Sequence, residues 1–132
     1  GIISLNLENE ITQMFSTKEF IPSAGQGIIA LQCRKDDEEI NSILKKVNHK
    51  ETYICAIAEK NVLKVLDGDC DTAVGVHASI YNNKISMLSE LFSLDGSKKF
   101  YRKEECDISE FKELGLNVGN FLKVESKNCY KR

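Results

Sequence analysis

Two consecutive asparagines, Asn82-Asn83, separate the alternating apolar runs Val74-Gly-Val-His-Ala-Ser-Ile-Tyr81 and Lys84-Ile-Ser-Met-Leu-Ser-Glu-Leu-Phe92. Asparagine tolerates the positive φ that a two-residue hairpin turn demands, so this pattern predicts two antiparallel strands. Asp95-Gly96 is a second turn signal, and Lys98–Lys103 reads as a third strand. A sheet with one apolar face must be covered, and two helical patterns flank it. One runs from about Glu51 to Leu66 with Ile54, Ala58, Val62, Val65 and Leu66 on one face. The other carries Phe111, Leu114, Val118, Phe121 and Leu122, with Asp107 and Glu110 at its start. Gly115 and Gly119 weaken that second helix by their cost in backbone entropy.

The expectation from Asn48 onward is an α+β domain, a three-stranded antiparallel sheet with helices packed on one face. Asn48 and Glu51 read as a capping box, and Gly68 as the left-handed C-terminal cap. Upstream, Asp36-Asp37-Glu38-Glu39 opens a helix whose Ile40, Ile43, Leu44 and Val47 form one apolar stripe. Residues 3–15 give a helical signal through Ile3, Leu5, Leu7, Ile11, Met14 and Phe15. Pro22 opens a Gly/Ser/Gln loop, and Ile28–Leu31 reads as a short buried strand. This upstream part does not fit the α+β unit. The expected division is therefore 1–47 as a segment belonging to a neighbouring domain and 48–132 as the C-terminal domain. The chain has no initiator methionine and opens inside a helix-like pattern, which suggests a piece of something longer.

A formal charge of −2 and no Lys/Arg block longer than two leave no electrostatic footprint for nucleic acid. No apolar run approaches the ~18 residues of a membrane span, and the opening residues lack signal-peptide character. Cys33, Cys55, Cys70, Cys106 and Cys129 are odd in number and irregularly spaced, which favours reduced thiols in a cytoplasmic setting. Without a C-x-x-C or paired-histidine spacing, no metal site is expected.

Cys70 is the thiol that stands out. It lies on a short acidic loop after a helix C-terminus, flanked by Asp67, Asp69 and Asp71. The negative end of the helix and the three carboxylates favour the neutral thiol, which disfavours protease-like or redox chemistry. It is either an inert loop cysteine or a covalent anchor for a partner that is itself strongly electrophilic. Cys33 and Cys55 fall in apolar-rich segments and read as core. Gly25-Gln26-Gly27 is a tight turn or a weak anion cradle, and His49 and His77 read as structural, at a helix start and on a strand. The run Asp67–Asp71 reads as a solvated acidic loop and lacks the calcium-loop ligand pattern.

Read together, Pro22-Ser-Ala-Gly-Gln-Gly-Ile-Ile-Ala-Leu-Gln-Cys-Arg34, Asn48-His49-Lys-Glu-Thr52, Ala58-Glu59-Lys60 and Leu66-Asp-Gly-Asp-Cys70 resemble the hydroxymethylbilane synthase (porphobilinogen deaminase) family. The likeness spans roughly residues 1–100. It implies a three-domain enzyme of porphyrin and heme biosynthesis, a monomer whose cleft lies between its first two domains, of which this chain is the C-terminal portion. It also implies that Cys70 carries a dipyrromethane cofactor through a thioether and that Gln26 lies near that cofactor. The cofactor primes condensation of four porphobilinogens into a linear tetrapyrrole with loss of ammonia, a transferase reaction. The loop departs from the family pattern at Asp69, where the family has glycine, and at Ala73, where it has proline. Aspartate tolerates positive φ, so the departures bear on the loop's rigidity more than its path. The catalytic aspartate and most arginines of the family fall outside this sequence, where only Arg34, Arg102 and Arg132 occur. The expectation is an inactive isolated chain with no cofactor on Cys70; a stand-alone α+β binding or regulatory module is the alternative.

Overall fold

The computed structural model describes residues 1–67 and 72–131. Its elements are helices α1 (Glu38–Val47) and α2 (Lys50–Leu66), strands β1 (Val74–Tyr81), β2 (Lys84–Phe92) and β3 (Lys99–Asp107), and helix α3 (Phe111–Ser126). The strands form one antiparallel meander in the order β1-β2-β3, and α2 and α3 cover one face. This is the α+β architecture expected from the sequence.

The hairpin forms where the asparagines place it. Asn82 and Asn83 have φ of 49° and 61°, and Tyr81 pairs with Lys84 across the turn. That register puts Val76, Ala78, Ile85, Met87 and Leu91 on the helix-facing side, where all five are buried. Met87 lies between Ala78 and Glu104, and Ile85 lies opposite Cys106. The second turn is tied by the Asp95 carboxylate, which accepts hydrogen bonds from the Ser93 hydroxyl and from the Ser97 amide and hydroxyl. These bonds hold its pKa down to about 2. β3 runs to Asp107, beyond the Lys103 expected from the sequence, because β2 offers an unbroken partner as far as Lys84. Local composition alone does not reveal such a partner.

α2 and α3 meet along a close seam. Gly115 and Gly119 are buried, and a Cβ built on Gly115 would lie 2.1 Å from the Ala58 carbonyl oxygen. One on Gly119 would lie 2.8 Å from Val65 Cβ. The two glycines weaken the helix intrinsically, as read from the sequence, yet here they let two backbones approach. Ala58, Val62, Leu66, Leu114, Val118 and Leu122 complete the core between the helices and the sheet.

Three local expectations are corrected. Residues 3–15 hold only two single 3-10 turns, Ile3–Leu5 and Glu8–Glu10, and none of their side chains is buried. Without an apolar surface to lie against, a short amphipathic pattern does not sustain a helix. Ile28–Leu31 is irregular, and Ile29 is 87% exposed, because no described strand lies beside it to complete a ladder. The N-cap of α2 is His49 and not Asn48, which instead ends α1 in extended conformation. The His49 Nδ1 accepts from the Thr52 amide at 3.3 Å and lies 2.8 Å from the Thr52 hydroxyl. At the other end Asp67, with φ 49°, takes the left-handed cap position, and its amide donates to the Leu63 carbonyl. Gly68 lies outside the described residues.

α1 forms as expected, with the Asp37 carboxylate accepting from the Ile40 amide and Arg34 holding that carboxyl below its usual pKa. Three residues of its apolar stripe, Ile40, Ile43 and Val47, are exposed, and only Leu44 is half-buried. Asp107 caps a 3-10 turn, Ile108–Glu110, that leads directly into α3.

Candidate functional site

The segment before α1 meets the domain along the open edge of β1 and the neighbouring face of α2. There the Val76 amide donates to the Pro22 carbonyl at 2.8 Å. Ile21 is buried, and its carbonyl oxygen sits where a Cβ on Gly75 would lie, 2.6 Å away. Two residues further along β1, the Ala78 amide donates to Glu59 Oε1 at 2.7 Å, and the Gly25 amide donates to Glu59 Oε2 at the same distance. Glu59 is 4% exposed and lies on the buried face of α2. A buried carboxylate is tolerated only when its acceptor sites are used, and both oxygens are. His77 Nδ1 stands 4.0 Å from Oε1.

Around this carboxylate lies a cleft of about 260 Å³ between the loop, the start of α2 and β1, with Gln26, His49, Cys55, Glu59 and His77 in its wall. Gln26, singled out from the sequence, is thus placed at a cleft. It sits in a turn closed by its own amide to the Ser23 carbonyl and by the Ile28 amide to the Gly25 carbonyl. Gly25 and Gly27, at φ 76° and 79°, supply the left-handed conformations this turn requires. The histidines match their sequence reading, His49 as a helix cap and His77 on an edge strand.

Cys55 and Cys33 are half-buried instead of forming core: Cys55 packs against it from the cleft side, and Cys33 approaches Asn41 Oδ1 at 3.5 Å. Burial, then the carboxylates of Glu59 and Glu51, push the Cys55 thiol up to about 11. Two pH units above an ordinary thiol corresponds to about 100-fold less thiolate at neutral pH. Iodoacetamide at pH 8 should therefore alkylate Cys55 about 100-fold more slowly in the folded chain than in urea, as followed by peptide mass; equal rates would mean that the thiol is not suppressed. Among the described residues no group of three or more His, Cys, Asp or Glu is arranged to hold a metal, and no helix is long and apolar enough to cross a membrane.

Cys70 lies outside the described residues, as do Asp69 and Asp71. The two ends of its loop are described, and both are fixed. On the helix side, the buried Tyr130 hydroxyl donates to the Leu66 carbonyl at 2.6 Å, and Lys123 Nζ donates to the Val65 carbonyl at 3.2 Å. These satisfy two of the last-turn carbonyls that a helix leaves without internal partners. On the strand side, the Phe92 amide donates to the Ala73 carbonyl at 3.0 Å.

A family model described as porphobilinogen deaminase, C-terminal domain, matches residues 53–123, more than half of the chain. The chain belongs to the porphobilinogen deaminase family. A second model, porphobilinogen deaminase, dipyromethane cofactor binding domain, matches residues 1–42. The chain is 39% identical over 122 residues to the porphobilinogen deaminase of Coxiella burnetii (strain RSA 493 / Nine Mile phase I), covering 92% of the chain and 40% of that relative. It is 33% identical to that of Desulforamulus reducens, with the same coverage. With that of Chloroherpeton thalassium it is 30% identical, over 97% of the chain and 42% of the relative. The chain thus spans about 40% of the length of these porphobilinogen deaminases.

Sequence reasoning missed Glu59 as a structural centre. It quoted Glu59 only within a motif, although the residue's place on the same helix face as Ala58 and Val62 was a usable signal: an acid on an apolar stripe must find donors.

Proposed function

We propose that this chain is the C-terminal, cofactor-bearing part of a hydroxymethylbilane synthase that condenses four porphobilinogens into a linear tetrapyrrole. Residues 48–132 form the domain that presents Cys70, and residues 1–47 belong with a neighbouring domain. The observation that carries this reading is the loop itself. Its cysteine lies between two ends fixed by Tyr130, Lys123 and Phe92, while its sequence neighbours are carboxylates. Those carboxylate neighbours in the sequence suit a tether and not an activated nucleophile.

Two of the other thiols, Cys55 and Cys106, are poor competitors. Cys55 is suppressed to about 11, and burial with nearby carboxylates also raises Cys106. The suppression of these two thiols supports reading Cys70 as the one that holds a covalent dipyrromethane. When bound, that group supplies the primer to which porphobilinogen units are added. The protein's part would be to hold it, with the Cys70 sulfur carrying the group through a single S–C bond. Gln26 offers an amide donor and an acceptor from the cleft wall. The full enzyme is read as a cytoplasmic monomer that uses no metal, membrane or nucleic acid.

The test is the intact mass of the full-length protein. An adduct of two pyrrole units is expected, lost in Cys70→Ser together with activity. A folded, unmodified full-length protein would favour a non-catalytic binding module instead. The 132-residue chain alone is expected to form no tetrapyrrole from porphobilinogen, and detectable uroporphyrinogen from it would overturn that part of the reading.

A further inference from the structure

We infer that Glu59 is a positioning residue: its buried carboxylate pins the Gly25-Gln26-Gly27 turn to the open edge of β1 and so fixes where Gln26 stands. Three observations converge. Both carboxylate oxygens are engaged at 2.7 Å, one by the loop amide of Gly25 and one by the strand amide of Ala78. The carboxylate is buried, so water does not compete for those amides. Among the described residues the segment has one other hydrogen bond to the strand, the Val76 amide to the Pro22 carbonyl, three residues before Gly25. Pro22 therefore fixes where the segment enters, and Glu59 fixes the turn that follows. The turn lies within residues 1–42 and the carboxylate within residues 53–123, so one side chain links the regions matched by the two family models. The role assigned to Gln26 rests on the function proposed above; the pinning does not.

Hydrogen exchange on the chain tests the pinning. Bonds to a buried carboxylate should slow exchange of the Gly25 and Ala78 amides by about 10- to 100-fold relative to unstructured peptide. Glutamine at position 59 keeps the shape but has one acceptor oxygen and an NH2 in place of the other. Glu59→Gln should therefore speed exchange at Gly25 or Ala78 by about 10-fold or more while Val62 and Val118 stay protected. An unprotected Gly25 amide in the wild type overturns the inference whether or not the variant folds, and so does equal loss at all four sites in the variant.

In the full-length enzyme, Glu59→Gln should lower kcat about 10-fold with little change in KM. Adding Gln26→Ala should cause no further loss, since both changes remove one positioned group. Additive losses would overturn the positioning role. A missing pyrrole adduct in the wild type would instead overturn the proposed function and leave the exchange result standing.

Discussion

Gly115→Ala is expected to destabilise the domain by about 2 kcal/mol or more, although alanine is the better helix former. Two effects oppose each other. In a helix interior the substitution should gain about 1 kcal/mol, since alanine loses less backbone entropy. Against that, the new methyl would sit 2.1 Å from the Ala58 carbonyl oxygen and 2.8 Å from Asn61 Cβ. The first neighbour is backbone and cannot swing aside, so α3 must move off α2 along a seam that both helices bury. Overpacking of this kind costs about 3 kcal/mol, which outweighs the propensity gain. A urea titration followed by circular dichroism checks the sign: a midpoint higher than wild type would mean that the seam is not close-packed. Gly119→Ala meets Val65 Cβ at 2.8 Å and the Val62 backbone at 3.2 Å, longer approaches than the 2.1 Å at Gly115, and should cost less.

Tyr130 gives the second large effect. It lies four residues past Ser126, the last residue of α3, after a turn that begins at left-handed Lys127, yet it is 1% exposed. Tyr130→Ala should cost about 3–5 kcal/mol, the range for removing a buried aromatic ring. Tyr130→Phe keeps the ring and strips one donor from the Leu66 carbonyl, for about 1–3 kcal/mol. The difference between the variants separates packing from the hydrogen bond. Because Leu66 is the last residue of α2, Tyr130→Phe should also speed exchange at the Asp67 amide beyond its effect on the core. Equal unfolding midpoints for the two variants would show that the ring contributes nothing beyond its hydroxyl.

Helices α1, α2 and α3 and the hairpin were legible in the sequence because each is specified locally. Apolar spacing marks the helices, and Asn82-Asn83 fixes the register that places Val76, Ala78, Ile85, Met87 and Leu91 on the buried face. The failures have one cause as well. Whether residues 3–15 become a helix or Ile28–Leu31 a strand depends on what lies against them, and no local pattern records that. The replacement of Asn48 by His49 as N-cap is subtler. An imidazole nitrogen can accept an amide hydrogen as a carboxamide oxygen does, and one residue of slip decides which does so. Gly115 and Gly119 were visible, but only their intrinsic cost could be read; the benefit belongs to the facing helix. Of the site, the acidic loop of Cys70 and the Gly25-Gln26-Gly27 turn stand out from their residues and take roles only from the family likeness, whereas Glu59 needed the fold, since its two donors lie 34 and 19 residues away.

The Pro22 contact has a consequence for how such a small sheet avoids polymerising. A strand margin with open amides and carbonyls is a template for another molecule, and a meander has two such margins. On β1, part of that template is already taken by a segment centred on proline, which has no amide hydrogen with which to extend the ladder outward. On β3 the margin bears Lys99, Arg102, Lys103, Glu104, Glu105 and Asp107, so a second copy laid alongside would have to bring charges of both signs into register. Among the described residues one border is partly plugged and the other fenced by charge, and both features oppose edge-to-edge growth.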